Sequence, residues 1–175
     1  MTPSSLGTPR LILRRPAPED LAHFQRWLSD PEVTRYVGGV RAPERIRMTF
    51  DLVCKDWEEL GYGKFVIVLK ATGQVVGTCG VSRVLVGGAL EDDLGYLIDR
   101  AHWGKGLAFE AAKATFEDAV GNRGLSRITA WPNPKNVASV RIVEKLGFRF
   151  ERLISEQHMG VQYAGMRLYA WTAPD

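Results

Sequence analysis

The chain has 175 residues, of which 45% are hydrophobic and 25% charged, as is typical of a soluble single-domain protein. Its net charge of +3 comes from scattered basic residues without a dense basic block, which argues against nucleic acid as a partner. No apolar stretch approaches the roughly 20 residues that span a bilayer, and the first residues have no apolar signal core. Cys54 and Cys79 lie in apolar contexts and are expected to be reduced. We therefore expect one cytoplasmic domain over residues 1–175 that does not bind membranes.

The first half of the chain is predicted to combine helices with short strands. Residues 1–9 are expected to form a loose tail. Pro18-Glu-Asp-Leu opens a helix with acidic side chains in its first turn. Apolar residues at helical spacing predict a longer helix that starts at Pro43. The predicted elements are a strand at 10–15, a helix at 18–28, a helical turn from Asp30, a helix at 43–60, and strands at 65–69 and 75–81.

The second half is predicted to alternate strands with helices. Its elements are a strand at 94–98, a helix after Gly106, a strand at 127–131, a helix at 136–146, and strands at 148–155 and 162–172. The early hairpins predict antiparallel pairs, whereas the strand–helix–strand crossover around residues 94–131 predicts at least one parallel pair. This order predicts an α+β protein with a mixed sheet that is flanked by helices.

Two glycines one residue apart stand where a predicted strand gives way to a helix, in Trp103-Gly-Lys-Gly-Leu-Ala108. Glycine lets the backbone come close to a ligand, and the unpaired amides of the first helical turn point at an anion. The pattern therefore predicts a phosphate site, with an ordinary tight turn as the alternative. It is not a Walker sequence, because no Lys-Ser/Thr follows the glycines.

Six short motifs occur in a fixed order along the chain. They are Arg10-Leu-Ile-Leu-Arg14, Gly95-Tyr-Leu-Ile98, Trp103-Gly-Lys-Gly-Leu-Ala108, Glu110-Ala111, Asn136-x-x-Ser139 and Glu144-Lys-Leu-Gly-Phe148. Each is common alone, but the ordered set is specific. In these motifs the chain resembles the GNAT superfamily of acyl-CoA-dependent N-acetyltransferases, and within it the RimJ/RimL branch that acetylates the N-termini of ribosomal proteins.

The resemblance implies a GNAT fold, in which a mostly antiparallel sheet of about six or seven strands is flanked by about four helices. The strands at 94–98 and 127–131 are expected to splay apart in a V. Acetyl-CoA is implied as the acyl donor, with its pantetheine arm in the splay and its pyrophosphate at the helix start, and no metal is implied. The residues implied to bind it are Leu97, Ile98, Trp103, Gly104, Lys105, Gly106, Leu107, Ala108, Asn136 and Ser139. Asn136 is also suited to cap the following helix.

The chemistry needs a base for the attacking amine and hydrogen-bond donors for the oxyanion. Asp93 is the first choice of base, because relatives often carry an acid just before Gly-Tyr. Strand alternation puts Glu91 on the same face. A solvated acidic turn is the alternative for both. The oxyanion donor is expected to be a backbone N–H such as that of Leu97 or Ile98.

The departing thiolate has a less obvious proton source. Many relatives carry a tyrosine just before Glu-Lys-x-Gly-Phe, but this chain has Val143 there. The resemblance puts Ser139 near the thioester sulfur, so Ser139 or a water must serve if any acid acts. Tyr163 and Tyr169 are further candidates, with packing in the last strands as the alternative.

Two functions follow from these patterns. The first is transfer of an acetyl group to a primary amine within a ternary complex, and the second is an acyl-CoA-binding module without transferase activity. The acceptor amine is expected between residues 21 and 63 and at the last hairpin. Trp27, Tyr36, Trp57 and Tyr62 are candidates there, although helical spacing favours the core for Trp27 and Trp57. The three histidines lack metal-ligand spacing, and a homodimer is common in such families.

Overall fold

The computed structural model describes residues 5–86, 88–154 and 165–174, and within them eight strands form one sheet. The strands are β1 (Ser5–Gly7), β2 (Leu11–Arg14), β3 (Lys64–Leu69), β4 (Val75–Val86), β5 (Ala89–Ile98), β6 (Arg127–Ala130), β7 (Arg149–Leu153) and β8 (Arg167–Thr172). The helices are α1 (Leu21–Leu28), α2 (Pro31–Thr34), α3 (Pro43–Glu59), α4 (Leu107–Gly121) and α5 (Val137–Lys145).

The strands follow the order β1-β2-β3-β4-β5-β6-β8-β7. Neighbouring strands pair antiparallel except β5 and β6, which are parallel because α4 crosses over between them. The predicted α+β class with a mixed, mostly antiparallel sheet is confirmed. In the described residues the sheet has eight strands rather than six or seven, and five α-helices rather than about four surround it.

The prediction of a loose tail is wrong for residues 5–7, which form the edge strand β1. Thr8 turns the chain back on itself: its Oγ1 accepts from the Leu11 amide at 2.9 Å, and its own amide donates to the Leu11 carbonyl at 2.9 Å. Leu6 then pairs with Leu13 of β2. The turn depends on a side chain that bonds the backbone three residues on, which hydropathy patterning does not reveal.

Further strand boundaries differ from the predictions. β4 runs on to Val86 instead of ending at residue 81, and β5 begins at Ala89 instead of residue 94, because residues 82–86 pair with 89–93 in a hairpin. An ion pair between Arg83 and Asp92, with N and O atoms 3.1 Å apart, crosses that hairpin. The last strand begins at Arg167, and residues 162–164 of its predicted start lie outside the described residues.

β5 and β6 are joined at a single register position, Asp93 opposite Thr129. Beyond that position the two strands diverge, and the edge of β5 from Leu94 to Ile98 faces no paired strand in the part of the chain that the structure describes. This is the predicted V-shaped splay.

Helices pack on both faces of the sheet. α4 contributes Ala111 and Ala112 to a cluster with Ile67 of β3, whereas α1 and α3 pack with Val66, which points to the opposite face. Trp27 and Trp57 are buried in these clusters, with 1% and 5% of their surface exposed, so their predicted core positions are confirmed.

A buried ion pair fixes the C-terminal end of α4. Arg123 Nε lies 2.6 Å from Asp118 Oδ2, and both side chains are at most 5% exposed. Arg123 Nη1 also donates to the Gly61 carbonyl at 2.6 Å, just beyond the end of α3. The pair therefore ties α4 to the segment that leads from α3 into β3.

We expect Asp118→Asn to lower the free energy of unfolding by about 3 kcal/mol, because it leaves the Arg123 charge buried without a counter-charge. The matched control is Glu117→Gln at the preceding residue, whose partner Lys113 is solvent-exposed. That change should cost less than about 0.5 kcal/mol. Urea denaturation measures both, and equal losses in the two variants would contradict the assignment.

Candidate active site

The splay opens into a cavity of about 710 Å³. One side of the cavity is formed by β5, the turn before α4 and the start of α5. The opposite side comes from α1 to α3, and we call it the helical wall. Its lining residues are Phe24, Trp27, Leu28, Glu32, Val33, Tyr36, Val37, Arg41, Thr49 and Val53.

The Gly-x-Gly turn forms a cluster of unpaired backbone donors at the mouth of this cavity. Gly104 and Gly106 have φ of 73° and 74°, a left-handed conformation that favours glycine, and α4 begins at Leu107. The amides from Gly104 to Phe109 donate to no acceptor in the described residues. Together with the helix dipole they form an anion site.

The residues predicted to surround the anion line the cavity, except for Lys105. Trp103, Gly104, Gly106, Leu107 and Ala108 line the cavity. Lys105 does not line it, and its Nζ donates to the Ala101 carbonyl at 3.1 Å.

Arg10 and Glu110 brace this turn, a role that the sequence did not reveal. Arg10 Nη1 donates to the Lys105 carbonyl at 2.8 Å, and its Nε lies 2.6 Å from Glu110 Oε2. Glu110 Oε1 also accepts from Thr8 Oγ1 at 2.6 Å. Both residues lie in the motifs of the resemblance, but 100 residues of chain separate them. The β1–β2 turn therefore holds the first turn of α4 in place.

The exposed edge of β5 presents particular amides to the splay. The Asp99 amide donates to the Val76 carbonyl at 2.7 Å, and backbone groups alternate along an antiparallel pair. Leu97 therefore directs its amide towards β4, whereas Tyr96 and Ile98 direct theirs into the splay. The Ile98 carbonyl accepts a hydrogen bond from Trp103 Nε1 at 2.7 Å. Of the two predicted oxyanion donors, the geometry favours Ile98 over Leu97.

Asp93 lies at the apex of the V and lines the cavity. Its Oδ1 accepts a hydrogen bond from Thr129 Oγ1 at 3.2 Å. Burial raises the pKa of Asp93 to about 8, while Lys64, Thr129 and Trp131 favour its charged form and Glu91 disfavours it. The carboxyl group of Asp93 therefore titrates at about pH 8.

Glu91, the second predicted base, forms an ion pair with Arg127 outside the cavity. Its carboxylate accepts from Arg127 Nε and Nη2 at 2.9 and 3.0 Å, and it does not line the cavity. Arg127 also bonds Glu151 at 2.9 Å. The hydrogen bonds that Arg127 donates to these two carboxylates raise its pKa above the usual value. The structure thus separates Glu91 from Asp93.

Ser139 contacts Tyr96, a residue that the sequence did not indicate as part of the site. The Tyr96 hydroxyl lies 2.9 Å from Ser139 Oγ and also donates to the Ser139 carbonyl at 3.1 Å. Burial raises the pKa of Tyr96 well above its ordinary value, so the hydroxyl is protonated before the reaction begins. Val143 is fully buried in the core. Asn136 accepts from the Ser139 amide at 3.3 Å, so the predicted cap is confirmed.

The remaining aromatic candidates divide between cavity and core. Trp27 and Tyr36 line the cavity, whereas Trp57 and Tyr62 do not. The Tyr62 hydroxyl bonds Asp92 at 2.5 Å. Tyr169 is 3% exposed and packs on Phe150, as the packing alternative predicted. Tyr163 and His158 lie outside the described residues.

The described residues contain no group of three potential metal ligands. Cys54 and Cys79 are both free thiols. No helix in the described part of the chain is long and apolar enough to cross a membrane.

A family model for the acetyltransferase (GNAT) domain matches residues 10–149. The chain belongs to the GNAT family. It is accordingly an acyltransferase, and GNAT enzymes use acetyl-CoA as acyl donor. An uncharacterized N-acetyltransferase of Bacillus licheniformis, p20, is 33% identical over 159 residues, which are 87% of this chain and 86% of p20.

Solved structures of GNAT enzymes share the fold. An acetyltransferase from Agrobacterium tumefaciens aligns with a TM-score of 0.85 at 26% identity, over 98% of this chain and 95% of the other. The spermidine N-acetyltransferase from Vibrio cholerae, in complex with CoA and spermine, has a TM-score of 0.75 at 15% identity, over 94% and 96% of the two chains. Ribosomal-protein acetyltransferases share the fold at 14–20% identity. The RimJ/RimL branch therefore stays a prediction.

Proposed function

We propose that this GNAT enzyme transfers an acetyl group from acetyl-CoA to a primary amine by direct attack within a ternary complex. The observation that carries the proposal is the row of unpaired amides from Gly104 to Phe109, at the mouth of a splay with an open strand edge. The amides suit a pyrophosphate, and the edge of β5 suits an amide-containing arm. Asn136 and Ser139 also line the cavity, which supports their assignment to the same arm.

Asp93 is proposed as the base. A proton acceptor works best when its pKa lies near the working pH, and the pKa of Asp93 is about 8. An α-amine has a pKa of about 7.7–8.0, so proton transfer between the two groups is nearly balanced. The amine nitrogen loses its proton to Asp93 as it forms the bond to the acetyl carbon, and the Ile98 amide faces the developing oxyanion.

Ser139 and Tyr96 are proposed to supply the proton for the departing thiolate. The serine hydroxyl donates its proton to the sulfur and takes one from the Tyr96 hydroxyl 2.9 Å away, and solvent in the cavity reprotonates Tyr96 once CoA has left. This pair takes the role that the tyrosine replaced by Val143 has in relatives.

Direct attack is favoured over a covalent acyl-enzyme by the state of the cysteines. Burial raises the pKa of Cys79 to about 12, and burial also raises the pKa of Cys54. Neither thiol lines the cavity. A thiol nucleophile needs the opposite shift.

We expect Gly106→Trp to weaken acetyl-CoA binding by at least tenfold, about 1.4 kcal/mol, because the indole occupies the space in front of the unpaired amides. Titration calorimetry measures the Kd. The matched control is Gly124→Trp, since Gly124 has a similar φ of 67° and open space around it but lies beyond the other end of α4. It bears the same backbone strain and should bind acetyl-CoA as the wild type does. Absence of binding by the wild type would contradict the proposal.

We expect kcat/KM to rise with pH and to level off above about pH 8, as Asp93 becomes charged. The acceptor in this assay should be an amine that is neutral throughout the range, so that its own titration does not contribute. Asp93→Asn should remove the inflection and lower the rate by about 100-fold. Asp92→Asn is the control. Loss of the inflection in Glu91→Gln instead would identify Glu91 as the base.

We expect Tyr96→Phe and Ser139→Ala each to lower kcat by about tenfold, with the KM for acetyl-CoA nearly unchanged. Because the two hydroxyls act in series, the double variant should lose little more than either single one. Thiol release measures all three. Tyr62→Phe, whose hydroxyl bonds Asp92 outside the cavity, is the control. Multiplicative losses in the double variant would exclude the relay.

A further inference from the structure

Lys64 lies across the sheet in a row with two glycines. It is opposite Gly80 of β4, and Gly80 is opposite Gly95 of β5. A Cβ placed on Gly95 would lie 3.2 Å from Lys64 Nζ and 3.4 Å from its Cε. The absence of side chains at both glycines therefore lets the lysine lie along the sheet, with its ammonium group over β5 and two residues from Asp93.

The opposite charge that acts most strongly on this ammonium group is that of Asp93, but no hydrogen bond joins the ammonium group to any described residue. Lys64 Nζ makes no hydrogen bond or ion pair with any described residue, although the side chain is half-buried and lines the cavity. Burial lowers the pKa of Lys64, Arg41 adds to the effect, and Asp93 opposes it. An ammonium group withdrawn from water without a hydrogen-bond acceptor is costly, and a carboxylate in the cavity that accepts from Lys64 would relieve that cost.

Two of the polar groups that line the cavity are engaged by protein partners and do not compete for Lys64. Glu32 is held by Arg35 through both carboxylate oxygens, at 2.7 and 2.6 Å. The Thr78 hydroxyl donates to the Phe65 carbonyl. The cavity therefore offers the Lys64 ammonium group to a ligand that accepts hydrogen bonds.

We propose that the acceptor substrate is an α-amino acid, whose amine faces Asp93 and whose carboxylate binds Lys64. The inference rests on the proposed transferase function and narrows its substrate class. Asp93 and Lys64 carry opposite charges and are neighbours. They complement the ammonium and carboxylate groups that are attached to the α-carbon of an amino acid. Arg41 of the helical wall adds a second positive charge on the side of Lys64.

The rest of the helical wall indicates an apolar side chain on this amino acid. Val33, Tyr36 and Val37 line the cavity and are only partly buried. An apolar substituent would displace water from this surface. Leucine and phenylalanine are therefore suitable first substrates.

The test compares L-leucine and L-phenylalanine with their amides, which keep the amine but lack the carboxylate, and with the dipeptide leucyl-alanine, whose carboxylate lies farther from the amine. Thiol release from acetyl-CoA gives kcat and KM for each compound near pH 8, and kcat/KM is expressed per neutral amine because the amine of a free amino acid is more basic than that of its amide or of the dipeptide. We expect the free amino acids to have kcat/KM at least tenfold above both their amides and the dipeptide, since a charge-assisted hydrogen bond is lost in each comparison.

Lys64→Met keeps an unbranched stem over the glycines and removes the charge. We expect this variant to raise the KM for the free amino acids by about tenfold and to leave the KM for the amides unchanged. The ratio between acid and amide is the decisive readout, because a structural defect would affect both alike. Lys55→Met, which removes an exposed lysine paired with Glu59 on α3, is the control for net charge.

The outcomes separate the inference from the function on which it rests. Amides or the dipeptide reacting as fast as the free amino acids, or an acid-to-amide ratio unchanged by Lys64→Met, would overturn the amino acid assignment and leave the transferase in place. Binding of acetyl-CoA by calorimetry without turnover of any of these amines would count against the transferase function itself.

Discussion

One backbone pairing, Asp93 of β5 with Thr129 of β6, determines where the sheet is continuous and where it opens. On one side of this position the strands are held together, and beyond it the edge of β5 faces the cavity. α4 starts only nine residues after β5 ends, counting from Ile98 to Leu107, so its unpaired amides must lie at the same opening. An anion site and an open strand edge thus share one cleft as a consequence of chain connectivity.

The residue that closes the apex also carries the reactive carboxyl group. Asp93 lies where the two strands converge, so water has little access and burial raises its pKa. The opposing influences of Thr129 and Lys64 keep that pKa within reach of neutral pH instead of allowing the group to stay protonated. Backbone geometry and acid–base chemistry are therefore coupled, since a shift in the β5–β6 register would move the carboxyl group and change its surroundings together.

The parts of the site that the sequence predicted are those encoded by near neighbours. The Gly104–Gly106 turn and the Asn136 cap each involve residues at most three positions apart, and both formed as expected. The contact between Tyr96 and Ser139 spans 43 residues and depends on how far the sheet splays, which no local periodicity reports. The position of Lys64 likewise depends on the register of three strands. The missed edge strand at residues 5–7 has the same origin, because a three-residue strand exists only through its partner.

Gly80 and Gly95 leave the centre of the sheet without side chains next to Lys64. Glycine within a strand normally weakens it, yet Gly80 and Gly95 are paired in the central strands β4 and β5. A Cβ on Gly80 would approach Lys64 Cα to 2.3 Å, so the backbones of β3 and β4 come closer there than any side chain permits. That approach lets a long cationic side chain cross two strands and end beside Asp93. The sheet therefore has less side-chain packing at the position where the charges of Lys64 and Asp93 lie next to each other and line the cavity.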